Sequence, residues 1–546
     1  MKRLCILAVL LAFVRVTTLS AAESPRLVVF IVVDQMRADQ LERYSTEYSG
    51  GFKRLLTEGI VFTNADLSYA LTATAPGHAT LFTGTYPWKN GIVGNSYFDR
   101  RLNRRVYSVQ DSSVLTVEGE GGKMSPRNLM ATTIGDWLKA ASPRSKVISI
   151  SIKDRPAILM GGKNADGAYW YDPSSGHMIT SSYYMKTLPS WVKSFNETGW
   201  VEKNLPPAWQ KLNADSIYER FGSDKFDGES LWGGSATFPH PFHPDKMKSQ
   251  LADSPFGNTL LLDFAAEASH NEGLGKREVT DLLCVSLSST DLVGTMFGPN
   301  SHEMIDNLFR LDRDLGKFLA LLTSSLGRDR VLVVLASDHG VMPLPEYRIN
   351  VEHRFALRID GMKLVRQKLA QLDSVLGLEI NVKGQVVGDG FINYEAAEKA
   401  GLDRQGIERR VRTALMEIDG VADVLYRTEL LTPGTAERPY LEAYRKSSFS
   451  SRGPDFFVRP CEYCLATESS VGTSHGSPYS YDTRIPVVFW GQNLEPGKVQ
   501  RGIRAVDIAP TLAKLLHLSP PNDLDGEALK EIDMRSGTES RLSKRP

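Results

Sequence analysis

The sequence has no excess charge of either sign and no apolar run long enough to cross a membrane. Its 546 residues include 64 basic and 64 acidic side chains, so the formal net charge is zero. A neutral chain has no overall attraction for nucleic acid or an anionic membrane surface, and we expect no nucleic-acid partner. The apolar run near the N-terminus spans about 11 residues, against the ~20 that a spanning helix needs. We therefore expect no membrane span in the mature chain, after cleavage of an N-terminal export signal.

Cysteine is also scarce, with four residues in the chain. Cys5 lies in an N-terminal segment that we expect to be removed. The spacing of Cys461 and Cys464 favours a short-loop disulfide in an oxidising compartment, although a Cys-x-x-Cys pair can also bind metal or carry out redox chemistry. Cys284 lies inside an apolar run and is expected to be a buried thiol.

The N-terminus has the features of an export signal. Two basic residues precede an apolar run from Leu4 to Val14, and small residues follow up to Ala22. We expect residues 1–22 to be a signal peptide and residues 23–546 to be a secreted catalytic chain, exported to the periplasm in a bacterium. The alternative is that the apolar run forms a buried strand or short helix.

Four short apolar runs lie next to residues that could carry out chemistry. Residues 26–33 lead into Asp34, 280–287 precede Asp291, 330–336 lead into Asp338 and His339, and 485–490 follow His475. Such runs predict buried strands. Helical patterns lie between them, at residues 131–140, 258–268, 304–322 and 508–516. The alternation predicts an α/β fold with a largely parallel central sheet, helices on both faces, and sites beyond the carboxyl ends of the strands.

Two stretches interrupt this alternation. Residues 165–250 are rich in Trp, Tyr, Ser and Pro, which predicts an irregular cap insertion. Residues 350–440 have strand and helix signals of their own, which predict a small inserted subdomain.

The segment around Thr74 contains a candidate nucleophile. Pro76 suits the first turn of a helix, which would place Thr74 where free backbone N–H groups favour an anion. Taken alone, Thr74 is more simply explained as an N-cap. The residues beside the predicted strands strengthen the catalytic interpretation, because carboxylate oxygen and imidazole nitrogen are ligands that zinc takes.

Taken together, these motifs resemble the alkaline phosphatase superfamily, in particular the phosphate-irrepressible bacterial alkaline phosphatases that use threonine. Those enzymes are close to the nucleotide pyrophosphatase/phosphodiesterases. The resemblance covers nearly the whole mature chain and rests on matches at Val32–Arg37, Thr74–Ala79, Gly91–Asn95, Ser254–Asn258, Ser337–Gly340, Gly472–Tyr479 and Asp507–Leu512. It implies the superfamily's three-layer α/β core and hydrolysis of small phosphate monoesters through a phosphothreonine.

The resemblance also implies two zinc ions that lie close together. One would be bound by Asp34, Asp338, His339 and the Thr74 oxygen. The other would be bound by Asp291, His475 and one more histidine. In such a site one metal stabilises the nucleophile's alkoxide and the other the leaving oxygen.

Substrate class depends on Lys153 and Arg155, which match a Lys-x-Arg pair that binds phosphoryl oxygens in the threonine phosphatases. Asn95 matches a neutral donor to the same group. Cationic donors favour a monoester, because a diester has one of these oxygens substituted. The alternatives are that the two cations sit on a solvated strand end, and that the protein is a phosphodiesterase or nucleotide pyrophosphatase on the same fold.

Thr295 departs from the family pattern, which has Asp-x-x-Gly-His where this chain ends its motif with threonine. A threonine hydroxyl is a poor zinc ligand. Three outcomes stay open: binding through Asp291, His475 and water, recruitment of His302, or an empty second site. The first is favoured, because zinc sites with few protein ligands plus water can be catalytic. A metal-impaired, non-catalytic phosphate-binding protein is the third functional hypothesis, and the oligomeric state is left open, a monomer included.

Overall fold

The computed structural model describes residues 24–379, 389–432, 438–491 and 494–532. The predicted signal peptide at 1–22, with Cys5, lies outside the described residues. The strands are β1 (Leu27–Val33), β2 (Ile60–Asp66), β3 (Ser96–Asp99), β4 (Arg104–Tyr107), β5 (Thr116–Val117), β6 (Val147–Ser151), β7 (Gly167–Asp172), β8 (His177–Ser181), β9 (Ala208–Trp209), β10 (His240–Pro241), β11 (Asp281–Leu287), β12 (Val331–Ala336), β13 (Leu357–Ile359), β14 (Asp389–Gly390), β15 (Val421–Tyr426), β16 (Phe456–Pro460), β17 (Cys464–Ala466), β18 (Arg484–Gly491), β19 (Gly497–Val499) and β20 (Ile503–Arg504).

The helices are α1 (Ala38–Arg43), α2 (Gly51–Glu58), α3 (Thr74–Thr83), α4 (Pro87–Asn90), α5 (Ile134–Ala141), α6 (Asp154–Gly161), α7 (Ser190–Glu197), α8 (Trp200–Asn204), α9 (Asp215–Tyr218), α10 (Met247–Ala252), α11 (Pro255–Asn271), α12 (Ser289–Phe297), α13 (His302–Leu326), α14 (Pro345–Asn350), α15 (Gly361–Leu376), α16 (Tyr394–Lys399), α17 (Arg404–Met416), α18 (Arg427–Leu431), α19 (Leu441–Lys446), α20 (Ser480–Thr483) and α21 (Ile508–Leu515). The four apolar runs form β1, β11, β12 and β18, and the four helical patterns overlap α5, α11, α13 and α21.

An eleven-stranded sheet forms the centre of the molecule, in the order β19-β2-β18-β12-β1-β11-β6-β7-β8-β5, with β20 beside β2. β1 pairs in parallel with both β11 and β12, and β6 and β7 continue the parallel arrangement. β18 and β8 run in the opposite direction. All seven residues of β1 are buried, as expected for a strand covered on both faces. The predicted α/β fold is confirmed.

Alternation along β1 divides the core into two layers. Val29 and Ile31 face one apolar cluster, in which Leu308 of α13 also packs. Phe30 faces the other cluster, where it stacks on Phe82 of α3 with ring centroids 4.3 Å apart. Because successive strand side chains point to opposite faces, a continuously apolar strand requires helices on both sides.

Residues 165–250, predicted as a cap, begin with β7 and β8, which extend the central sheet. An irregular segment with short helices follows. It is fixed to α13 by the buried carboxylate of Asp306, which accepts hydrogen bonds from Trp209 Nε1 at 2.7 Å and from the Tyr218 hydroxyl at 2.6 Å. This segment, called the predicted cap, therefore has a polar anchor on α13.

The region predicted as an inserted subdomain contains a small sheet in the order β14-β16-β15. Helices α15 and α17 pack on it through an apolar cluster that includes Leu369, Val411 and Phe456. This unit extends to Pro460, past the predicted boundary at residue 440.

Cys461 and Cys464, which follow it, form a disulfide, and Cys284 is a buried free thiol. Among the described helices, none combines the length and apolarity that a membrane span requires.

Candidate active site

The sheet brings the predicted site residues to one edge. Asp34 follows β1, Asp291 lies in the first turn of α12 after β11, and Asp338 and His339 follow β12. His475 instead precedes its strand, β18. Because β18 is antiparallel to β12, the beginning of β18 lies at the same edge as the end of β12. The antiparallel strand therefore brings His475 to residues that follow parallel strands.

A first group of possible metal ligands consists of Asp34, Asp338 and His339, whose ligand atoms lie within 4.8 Å of one another. His339 Nε2 is 3.5 Å from both Asp34 Oδ1 and Asp338 Oδ2. Among the described residues, these three buried atoms make no hydrogen bond, although His78 Nδ1 lies 3.2 Å from Asp338 Oδ2. His339 Nδ1 is hydrogen-bonded to the Gly340 carbonyl at 2.9 Å, which leaves Nε2 free to coordinate. Two carboxylate oxygens and an imidazole nitrogen without partners fit a divalent cation.

A second group consists of Asp291, His339 and His475, again within 4.8 Å. His475 Nδ1 donates to the Thr72 carbonyl at 2.7 Å, so Nε2 faces Asp291 Oδ1 at 3.8 Å. Its ring stacks on that of His339, with centroids 3.7 Å apart. His339 therefore borders both groups, whereas the sequence prediction placed it in the first alone.

Lys153 lies between the two groups. Its ammonium donates to Asp34 Oδ2 at 2.8 Å and to Asp291 Oδ2 at 2.5 Å, and its side chain is 12% exposed. The alternative that Lys153 sits on a solvated strand end is wrong. Burial, followed by repulsion from Asp338, raises the pKa of Asp34 well above its ordinary value. One lysine among three carboxylates leaves an excess of negative charge, which favours bound cations.

Thr74 is the first residue of α3, and Ala73 is the N-cap. The N-cap alternative for Thr74 is therefore wrong. Thr74 is 1% exposed, and its hydroxyl makes no hydrogen bond within the described part of the chain. A Cβ at Gly77 would collide with the carbonyl oxygen of Asp338, so this glycine lets α3 approach the first ligand group. His78 of the same helix is hydrogen-bonded to the Thr74 carbonyl at 2.8 Å and lies 3.2 Å from Asp338 Oδ2, so the first turn of α3 adjoins the first ligand group.

Asn95 is hydrogen-bonded to the first turn of α3, and Arg155 lies in the first turn of α6. Asn95 Oδ1 accepts a hydrogen bond from the Ala75 backbone N–H at 2.8 Å. The Arg155 guanidinium donates through Nη1 to the Tyr107 hydroxyl, which donates in turn to Asp154 Oδ1 at 2.5 Å. Arg155 is 17% exposed, so a solvated strand end is wrong for this cation also. Tyr107 is a site residue that was not predicted, because no local sequence pattern indicates it.

Gln35 is a second residue that the sequence reasoning missed. Its side-chain amide donates to Asp291 Oδ1 at 2.5 Å and to Thr295 Oγ1 at 3.0 Å. Its backbone N–H donates to Asp338 Oδ1 at 3.1 Å. The backbone adopts φ 68°, a left-handed conformation that is uncommon for a non-glycine residue. Gln35 therefore contacts both ligand groups. The sequence feature that could have indicated it is its position directly after Asp34.

His302, considered as a replacement ligand, is held by the cap. Its Nε2 is hydrogen-bonded to the Gly222 carbonyl at 3.1 Å, and its Nδ1 is 3.0 Å from Asp224 Oδ1. The ring is 1% exposed and packs on Tyr218. Recruitment of His302 would break these contacts.

Several known proteins are similar to this chain over nearly its whole length. The chain is 38% identical to a Myroides odoratus protein named Calcium-transporting ATPase, over 93% of this chain and 95% of that one. It is also 38% identical to alkaline phosphatase PhoV of Synechococcus elongatus, over 93% of each chain. Alkaline phosphatase PafA of Elizabethkingia meningoseptica is 34% identical, over 94% of this chain and 95% of its own.

The crystal structure of wild-type PafA matches with a TM-score of 0.88 and covers 94% of this chain and 99% of that chain. A second PafA structure carries substitutions at a threonine, an asparagine, a lysine and an arginine. Residues 28–445 match the family described as Type I phosphodiesterase / nucleotide pyrophosphatase. The resemblance to the alkaline phosphatases is confirmed, and the chain belongs to the Type I phosphodiesterase/nucleotide pyrophosphatase family.

Proposed function

We propose that this protein is a secreted, zinc-dependent alkaline phosphatase that hydrolyses small phosphate monoesters with Thr74 as the nucleophile. The observation that carries the proposal is that Thr74 begins a helix whose first turn adjoins the first group of metal-ligand atoms, at the sheet edge that also carries the second group. The alkaline phosphatase names of the relatives PhoV and PafA support it. So does the PafA variant, because the four residue types changed there occur here, in the same order, as Thr74, Asn95, Lys153 and Arg155.

Two zinc ions suit the ligand groups. The first would be held by Asp34, Asp338, His339 and the Thr74 oxygen, and the second by Asp291, His475 and water. When bound, zinc supplies Lewis acidity to the attacking and leaving oxygens of an in-line displacement.

The chain's own residues perform the transfer. Thr74 Oγ1 attacks phosphorus as the bond to the ester oxygen breaks, which yields a phosphothreonine and an alcohol. The hydroxyl proton goes to solvent, and the leaving oxygen takes up a proton. Water then attacks the phosphothreonine and restores Thr74, with release of phosphate. Asn95, Lys153 and Arg155 hold the phosphoryl oxygens throughout.

Phosphodiester hydrolysis is the second candidate, because the matching family is described by that activity. The positively charged side chains of Lys153 and Arg155 favour the monoester, because its phosphoryl group carries two negative charges. Lys153 and Arg155 are both mostly buried, at 12% and 17% exposed, so their charges act in a poorly screened environment.

The test is hydrolysis of p-nitrophenyl phosphate and of its methyl-blocked diester by purified residues 23–546. We expect a higher kcat/KM for the monoester, loss of activity with a chelator, and recovery with Zn²⁺. A higher kcat/KM for the diester would overturn the monoesterase. Failure of chelation to affect turnover would overturn the metal assignment.

Fractionation of cells that express the full chain tests export, and retention in the cytoplasm would contradict it.

A further inference from the structure

We propose that Tyr107 is a positioning residue that holds Arg155 in place for a phosphate monoester, and so sets the preference for monoesters over diesters. The inference rests on the proposed function, in which Arg155 binds the phosphoryl group. It adds a residue of the hairpin β3–β4 that lies outside all of the family motifs.

The Tyr107 hydroxyl lies between Arg155 and Asp154. Its oxygen accepts from Arg155 Nη1, and its proton is donated to Asp154 Oδ1 at 2.5 Å. Arg155 Nη1 is 3.9 Å from Asp154 Oδ1, beyond direct hydrogen bonding, so the tyrosine joins the two charged groups. Burial, followed by the charge of Asp154, raises the pKa of Tyr107, so the hydroxyl keeps the proton that it donates.

The same hairpin also holds Asn95. The Ser108 backbone N–H, next to Tyr107, donates to the Asn95 carbonyl at 3.0 Å. Tyr107 pairs with Ser96 across the strands, directly after Asn95. The Asn95 side chain in turn accepts from the first turn of α3, which begins at Thr74. One short hairpin therefore fixes Asn95 and Arg155 relative to the nucleophile.

Arg155 needs such a support more than Lys153 does. Lys153 is fixed by two carboxylates, those of Asp34 and Asp291. The Arg155 side chain has the Tyr107 hydroxyl as its hydrogen-bond partner within the described residues, and its Nε is buried without one. Removing the hydroxyl leaves a long, flexible side chain to find its position in every turnover. Binding then costs more conformational entropy.

The experiment compares Tyr107→Phe with wild type on p-nitrophenyl phosphate and its methyl-blocked diester, alone and in an Arg155→Ala background. We expect kcat/KM for the monoester to fall about 10-fold and for the diester to change less than about 2-fold. In the Arg155→Ala background we expect Tyr107→Phe to have no further effect, because a positioning residue acts only through its target.

Tyr97→Phe is the matched control, since Tyr97 lies on the same hairpin and its buried hydroxyl has no hydrogen-bond partner among the described residues. It should leave both activities unchanged. Asp154→Asn, which weakens the other side of the arrangement, should lower the monoester preference in the same direction. Equal losses on both esters, or a full loss retained in the Arg155→Ala background, would overturn the inference. Wild type without monoesterase activity would instead overturn the proposed function.

Discussion

The side-chain amide of Gln35 donates a hydrogen bond to the Thr295 hydroxyl at 3.0 Å. The same amide donates to Asp291 Oδ1 at 2.5 Å. Thr295 occupies the position where the family pattern has a histidine, so a neutral hydroxyl that accepts from an amide stands where the resemblance implies a metal ligand. The hydrogen bond from Gln35 fixes the orientation of Asp291. The second ligand group has one histidine fewer than the family pattern implies.

Thr295→His is expected to restore the missing ligand. Thr295 is partly exposed, and its hydroxyl shares the Gln35 amide donor with Asp291, which places position 295 next to the second group. We expect affinity for the second metal ion to rise roughly 10- to 100-fold, because an added imidazole replaces a weakly held water. Metal per chain, measured after dialysis against graded chelator, reports this directly.

Thr295→Val is the control for that substitution. It removes the contact with Gln35 but adds no ligand, so it should not tighten metal binding. Unchanged metal retention in Thr295→His would show that position 295 does not border the second ion.

Thr74→Ala should abolish turnover. The substitution removes the attacking oxygen, and loss of a nucleophile typically lowers kcat by at least ~10³-fold. Thr74→Ser, which keeps the hydroxyl, should retain measurable activity. Rapid-quench detection of phosphate on the protein should show a phosphothreonine in wild type and none in Thr74→Ala. Turnover by Thr74→Ala at the wild-type rate would refute the nucleophile.

Stability should decrease towards alkaline pH because of a buried pair of glutamates. Burial, followed by the charge of Glu303, raises the pKa of Glu229 to about 9 from its ordinary 4.5. The folded protein then keeps a proton that the unfolded chain releases, so this contribution to stability is lost as pH rises from about 4.5 to about 9. Glu229→Gln removes the group that ionises. The change that it causes in the free energy of unfolding should therefore be more stabilising at pH 9 than at pH 5, by roughly 1 kcal/mol or more. Identical pH profiles of the melting temperature for the two proteins would contradict this.

Asp306→Ala should loosen the cap. The carboxylate accepts hydrogen bonds from Trp209 and Tyr218 and pairs with Arg310 at 2.6 Å. Removing it leaves these donors buried without a partner, at a cost of about 3–5 kcal/mol. Urea unfolding measures the loss, and limited proteolysis should cut first between residues 205 and 225. Asp215→Ala, on the exposed side of the same segment, should have an effect within ~0.5 kcal/mol.

The strand-end residues were predictable because their signals are local. A continuously apolar run such as that leading into Asp34 identifies a buried strand, and polar residues after parallel strands converge on one edge. His475 was found through its motif, but its side of the sheet depends on β18 being antiparallel, which periodicity does not reveal.

Contacts between distant residues were not predictable in this way. Tyr107 and Arg155 are 48 residues apart, and Gln35 and Thr295 are 260 apart. A hydrogen bond requires its atoms to be within about 3 Å, and chain packing alone brings such pairs together.

The sequence by itself determined which residue types are available for chemistry and which segments form strands and helices, because composition and periodicity act over a few neighbouring residues. Only the tertiary structure decided that His339 borders both ligand groups, that Lys153 lies between two carboxylates, and that a tyrosine holds Arg155. These relationships depend on how sheet order and burial position residues that are far apart in the chain.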